Sequence, residues 1–90
     1  MKSRLIPPFR TLFNALAEDE KARARRAFAL FQENPRHSGL HFKMISARHS
    51  VWSVRIGLHY RALGIVRGEE VLWFWIGSHA EYDKQLKQFR

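Results

Sequence analysis

Between Val51 and Asp83 the chain reads VWSVRIGLHYRALGIVRGEEVLWFWIGSHAEYD, three strand-like runs separated by turns too short for anything but hairpins. Parallel neighbours would need a crossover of about a dozen residues or more, and none fits between these runs. Trp52, Val54 and Ile56 alternate with Ser53, Arg55 and Gly57, the period-two pattern of a half-buried strand. Tyr60–Val66 follows a turn at Gly57–His59, and Val71–Ile76 follows a turn at Arg67–Glu70. The last run is apolar on both faces, which places it in the middle of a sheet. Upstream, Leu40, Phe42 and Met44 alternate with His41 and Lys43, adding a strand before the polar link Ser46–Ser50. Four consecutive strands at hairpin spacing specify an antiparallel meander.

The N-terminal part has a different period. Ser3–Ile6 is a short extended segment, which Pro7-Pro8 ends while presetting the first turn of a helix. Phe9, Leu12, Phe13 and Leu16 then form one apolar stripe, so the first helix spans about residues 8–17. Asp19 is placed to cap a second helix carrying Ala24, Ala27, Phe28 and Phe31 on one side. Pro35 disfavours helical geometry at Asn34 and ends it, and Pro35–Gly39 is a loop by composition. Two helices with almost no linker imply an antiparallel hairpin. At the other end, Ser78 and Glu81 form a capping box, and Tyr82, Leu86 and Phe89 supply the docking stripe of a short helix. Lys84, Lys87 and Arg90 suit its C-terminal dipole.

The expected fold is therefore α+β: an N-terminal helical hairpin on one face of a curved antiparallel four-stranded sheet, with a short C-terminal helix partly covering the other. A concave basic surface remains, where Arg55, Arg61 and Lys43 gather. Ninety residues, 46% of them hydrophobic, make one domain over 1–90 with one core. Without cysteine there is neither a disulfide framework nor a thiolate metal site. No run approaches the roughly 20 apolar residues of a membrane span, and Met1-Lys2-Ser3-Arg4 is not followed by a signal-peptide apolar region, so a cytoplasmic protein is expected. Sixteen Lys and Arg against eight Asp and Glu leave a net charge of +8. Such a surplus suits a polyanion or an acidic protein partner, or is simply a solvated basic surface.

Arg55 and Arg61 interrupt apolar strands, and buried charge without a partner is costly. They either meet an anion, holding a phosphate with paired hydrogen bonds, or serve as structural arginines bridging to Glu69, Glu70 or Asp83. His79 falls in the first turn of the last helix, three residues from Tyr82 and four from Asp83. It is either an acid–base group, with Tyr82 assisting as donor, or a surface histidine. His41 and His59 are lesser cleft contacts, and His49 belongs to an exposed loop. The four-residue spacing of His37 and His41 crosses a loop-to-strand boundary, so no metal site is expected there. Trp73, Phe74 and Trp75 read as core rather than as a base-stacking platform. There is no phosphate-binding glycine loop and no nucleophile elbow.

The order of two helices and then a sheet, with WSVRIG, YRALG, a final apolar strand and GSHAEYD, resembles the RelE/ParE superfamily of bacterial toxins from toxin–antitoxin pairs. The resemblance spans nearly the whole chain. It implies a metal-independent, cofactor-free endonuclease acting on messenger RNA at the ribosome, in which a 2′-hydroxyl attacks the adjacent phosphate. By position it assigns Arg61 to the charged phosphorane, Arg55 to phosphate contact and His79 to acid or base chemistry. Tyr82 matches an aromatic position of the last turn, and Lys43 a substrate contact or base. Arginine itself cannot be the base, since it keeps its proton. The resemblance also implies an acidic antitoxin wrapping the basic cleft. ParE-like relatives bind DNA gyrase and cut nothing, so a binding-only toxin is the alternative. A plain basic RNA-binding module is a further reading, which the buried aromatics disfavour. The family's long first strand is reduced here to Ser3–Ile6, so the sheet edge is expected to differ.

Overall fold

The strand that reads as apolar on both faces is the one around which the molecule is built. In the computed structural model, which describes residues 1–89, five strands form one sheet: β1 (Lys2–Leu5), β2 (Lys43–Ser46), β3 (Val51–Ile56), β4 (Tyr60–Arg67) and β5 (Glu70–Ser78). Their order is β1-β5-β4-β3-β2. The expected meander accounts for β2 to β5. The expectation of four strands is corrected by β1, which pairs in parallel with β5 from Lys2↔Glu70 to Leu5↔Trp73, so the sheet is mixed. The short extended segment expected at Ser3–Ile6 is this strand, one residue earlier, but four residues carry too little pattern to reveal its parallel place beside β5. Tertiary contacts fix it, because the Trp73 indole N–H donates to Ser3 Oγ at 3.0 Å and the Ile6 N–H to the Trp73 carbonyl at 3.1 Å.

Three helices complete the α+β fold: α1 (Pro7–Asn14), α2 (Glu18–Glu33) and α3 (His79–Leu86). The helical hairpin is also revised. The eight-residue α1 lies against β5, while α2, twice as long, crosses toward β3 and β1. Helix meets helix through side chains, with Phe9 and Phe28 edge to face at 5.7 Å and the Arg25 guanidinium 5.4 Å above the Phe13 ring. Asp19 is not the cap of α2. Ala17 occupies that position, and Asp19 lies in the first turn, where its hydrogen bond from Arg23 holds its carboxyl below the ordinary value. Its place among Glu18 and Glu20 suits the helix dipole. The strand expected from Leu40 begins only at Lys43. Leu40 instead closes a 3-10 turn at Ser38–Leu40, and His41 follows it in the left-handed region at φ 46°.

Two apolar layers flank the sheet. Under α1 and α2, Trp73 is fully buried between Phe28 at 5.1 Å and Phe31 at 5.5 Å, joined by Phe9, Ala24, Val54, Ile56 and Val71. On the opposite face Val51, Leu63, Trp75 and Tyr82 form a second cluster under α3. A bulge makes this possible. Leu63 pairs with Trp75 and Gly64 with Trp73, leaving Phe74 as the extra residue of β5. With one residue inserted, Trp73 faces the helical pair while Phe74 and Trp75 both pack on the α3 side. No helix among the described residues is long and apolar enough to cross a membrane.

Gly64 sits where the bulge meets the indole. A Cβ there would lie 2.5 Å from Val71 Cγ1 and 2.8 Å from the Trp73 ring, and both neighbours are fully buried. Gly64→Ala should therefore cost about 1–3 kcal/mol through overpacking. Urea denaturation should show a lowered midpoint with the m-value retained; an unchanged midpoint would mean that the bulge relaxes freely.

Candidate functional site

Strand alternation and register determine which side chains meet. Val51, Ser53 and Arg55 of β3 share the α3 face of the sheet with Arg61, Leu63 and Ile65 of β4. Lys43 opposes Ser53, which opposes Leu63, which opposes Trp75, so the middle row of this face is roofed by α3. The next row is Arg55, Arg61 and Gly77. It lies at the end of the sheet where β5 runs into α3. A single β-carbon at Gly77 would meet the Trp75 ring at 2.5 Å, so the indole folds over the glycine beside this row.

Arg55 and Arg61 are direct cross-strand neighbours. Such pairs have Cβ atoms about 4.5–5.5 Å apart, and like charges there are destabilising. Among the described residues neither arginine forms an ion pair, and Glu70, one of the expected bridging partners, pairs with Arg4. Among the described residues their only side-chain hydrogen bonds go to backbone carbonyls, Arg55 Nε to Gly57 at 2.9 Å and Arg61 Nη1 to Tyr60 at 2.8 Å. Burial lowers the pKa of the Arg61 guanidinium and the Arg55 charge lowers it further, with Tyr82 and Asp83 opposing. An anion at this row would offset the repulsion between the two charges.

The start of α3 supplies the histidine. Ser78 accepts from the Glu81 N–H at 3.3 Å, and Glu81 Oε1 accepts from the Ser78 N–H at 3.3 Å, so the expected capping box forms. This fixes His79 two residues beyond Gly77. Its N–H donates to the His59 carbonyl at 2.8 Å, its Nδ1 lies 3.5 Å from Asp83 Oδ2, and its side chain is 54% exposed. Tyr82 behaves differently: it is 5% exposed, and its hydroxyl donates to Ser53 Oγ at 3.2 Å beneath the helix.

The structure thus brings Arg55, Arg61, His79 and the His59 backbone to one end of the sheet, with Lys43 on the same face one strand further out. Tyr82 is close but turned into the core. His41 stands outside the strand, exposed after its turn. His37 uses its Nδ1 to accept from Gly39, and no grouping of three or more metal-ligating residues occurs among the described residues. Ser53 is the residue that sequence reasoning missed. Its position among the polar side of β3 was readable, but its partnership with a tyrosine 29 residues away was not.

Comparison with known proteins bears on this geometry. The model of the ParE-like toxin domain matches residues 20–84. A RelB–RelE antitoxin–toxin complex from Methanococcus jannaschii superposes with a TM-score of 0.72 at 14% identity, covering 91% of this chain and 96% of the other. A copper-bound mutant toxin from Helicobacter pylori gives 0.61 at 16% identity, covering 90% and 97%. At these identities the structural likenesses establish the fold alone. No curated protein sequence matches the chain.

Apart from the capping box at Ser78, the Tyr82–Ser53 bond is the sole side-chain hydrogen bond between α3 and the sheet beneath it among the described residues, and breaking it strands a buried hydroxyl. Tyr82→Phe and Ser53→Ala should each lower stability by about 1–2 kcal/mol. Because both remove one bond, the double variant should lose less than the sum. A denaturant double-mutant cycle checks this, and strict additivity would contradict it.

Proposed function

Since the chain belongs to the ParE-like toxin domain family and is a toxin of a toxin–antitoxin system, we propose that it acts as a metal-independent endonuclease on messenger RNA at the ribosome. The observation that carries this reading is the uncompensated Arg55–Arg61 pair beside a solvent-facing histidine. Two guanidinium groups on neighbouring strands are preorganised for a phosphate and for the extra charge that gathers on it as a bond forms.

In this reading the 2′-hydroxyl of the substrate attacks the adjacent phosphorus while the 5′-oxygen of the next nucleotide leaves, giving a cyclic phosphate and a free 5′-hydroxyl. Arg61 faces the phosphorane, and Arg55 holds a non-bridging oxygen. His79 moves the proton through Nε2, with Asp83 orienting the ring through Nδ1. Lys43 contacts the flanking backbone, and His59 and His41 are peripheral substrate contacts. Tyr82, with its hydroxyl committed to Ser53, holds α3 and therefore His79 in place. The partner that silences the toxin is an acidic antitoxin. The antitoxin-bound state of the Methanococcus jannaschii relative and the net charge of +8 support this.

A second reading rests on the matched family itself: a toxin that binds DNA gyrase and cuts nothing, with the arginine row as its interface. The two diverge on induced expression. Wild type should arrest growth and create new messenger-RNA ends by primer extension. Arg61→Ala should reduce cleavage about 10²–10³-fold, and His79→Ala about 10²–10⁴-fold, both remaining folded. Growth arrest with intact messages would overturn the nuclease reading in favour of the binding one.

A further inference from the structure

The basic character of the site does not stop at the edge of the sheet. Where the β3–β4 turn meets α2, a second cleft of about 280 Å³ is lined by Arg23, Arg26 and Arg55 over a floor that includes Leu30, Leu40 and Gly57. Arg55 is common to both places, since it stands in register with Arg61 and is also among the residues that line this cleft. Arg23 lies directly over the turn. A Cβ at Gly57 would come 3.0 Å from Arg23 Cδ, and Gly57 has φ +60°, so glycine is needed there both for conformation and for the arginine's approach.

The three arginines are not equivalent. Arg23 is held by Asp19 at 3.1 Å and Glu20 at 2.7 Å, which fixes its position and offsets its charge. Arg26 is exposed and, like Arg55, forms no ion pair among the described residues. The cleft therefore combines two arginines that form no ion pair among the described residues, Arg26 and Arg55, with the apolar residues Leu30 and Leu40. A phosphate suits the rim, and the flat apolar part of a nucleotide suits the floor.

We infer that this cleft is a second nucleic-acid subsite, taking the sugar–phosphate backbone of the same single RNA strand whose scissile phosphate lies at Arg61. The inference rests on the nuclease reading above. Continuity through Arg55 is what favours RNA over an acidic peptide: a strand bound at the arginine row continues around the turn onto α2 without leaving positive surface. Arg26 is the residue that only a strand long enough to round the turn would reach.

The test measures fluorescence anisotropy of labelled oligonucleotides made uncleavable by 2′-deoxy substitution, a trimer and a dodecamer, across a salt series. The proteins are wild type, Arg26→Gln and Arg10→Gln, the last an exposed charge on α1 outside the cleft. Arg26→Gln should weaken dodecamer binding about 3- to 10-fold and reduce the salt slope by about one, as loss of one phosphate contact does. Trimer binding should not change, and Arg10→Gln should match wild type. Equal losses in both variants would mean general charge attraction and would overturn the subsite. So would an Arg26→Gln loss seen only with a polyglutamate peptide, which would assign the cleft to an acidic protein. If wild type binds neither oligonucleotide, the subsite is overturned, whereas the nuclease reading fails separately, on induced expression that leaves messages intact.

Discussion

Trp73 and Trp75 must be buried on opposite faces of one strand, and the two-layer architecture depends on how β5 manages this. In a regular strand, residues two apart point the same way. The bulge opposite Leu63 and Gly64 breaks that rule once, sending one indole under α1 and α2 and the other under α3. β5 can carry large side chains on both faces because it is covered on both and paired on both edges, by β1 in parallel and β4 in antiparallel. Each fully buried large side chain of this kind contributes on the order of 1.5–3 kcal/mol. For a chain of 90 residues, that double layer replaces the disulfides or metals on which smaller folds rely.

The site is a by-product of the same strand. Once Trp75 is turned toward α3 it overlies Gly77, and the strand proceeds two residues further to the capped start of α3. The capping box then sets His79 beside the row formed by Arg55 and Arg61. Tyr82 fastens the helix through Ser53 from below, so the histidine is carried on a rigid support although its ring is exposed. Two like charges face each other across neighbouring strands at this point, a local cost that the fold bears without an ion pair to either arginine among the described residues. Sites that bind an anion are where such an arrangement is expected.

Much of this was legible in the sequence, for identifiable reasons. Hairpin-length turns and period-two alternation disclosed β2 to β5, although β2 starts three residues later than Leu40 because His41 takes a left-handed conformation after a 3-10 turn. Ser78 and Glu81 gave the start of α3 correctly, since a capping box is a local device. The alternation of Arg55 with Trp52, Val54 and Ile56 placed it on the correct face. What could not be read was non-local. Ser3–Ile6 was legible as extended, but its parallel pairing with β5 was not, because that rests on hydrogen bonds to Trp73 about 70 positions away. The bulge depends on packing around Gly64, the Tyr82–Ser53 bond joins distant elements, and α2 starts one residue before Asp19, whose carboxylate accepts from Arg23. The second cleft was equally hidden, because Arg26 and Arg55 meet only through the crossing of α2 over the sheet.

The central claim is that the Arg55–Arg61 row exists to hold a phosphate. A crystal structure with an uncleavable 2′-deoxy oligonucleotide would test it most directly. The account predicts a phosphate within hydrogen-bond distance of both guanidinium groups, with the neighbouring sugar beside His79 Nε2. An oligonucleotide bound elsewhere, with Arg55 and Arg61 still hydrogen-bonded only to the Gly57 and Tyr60 carbonyls, would contradict it.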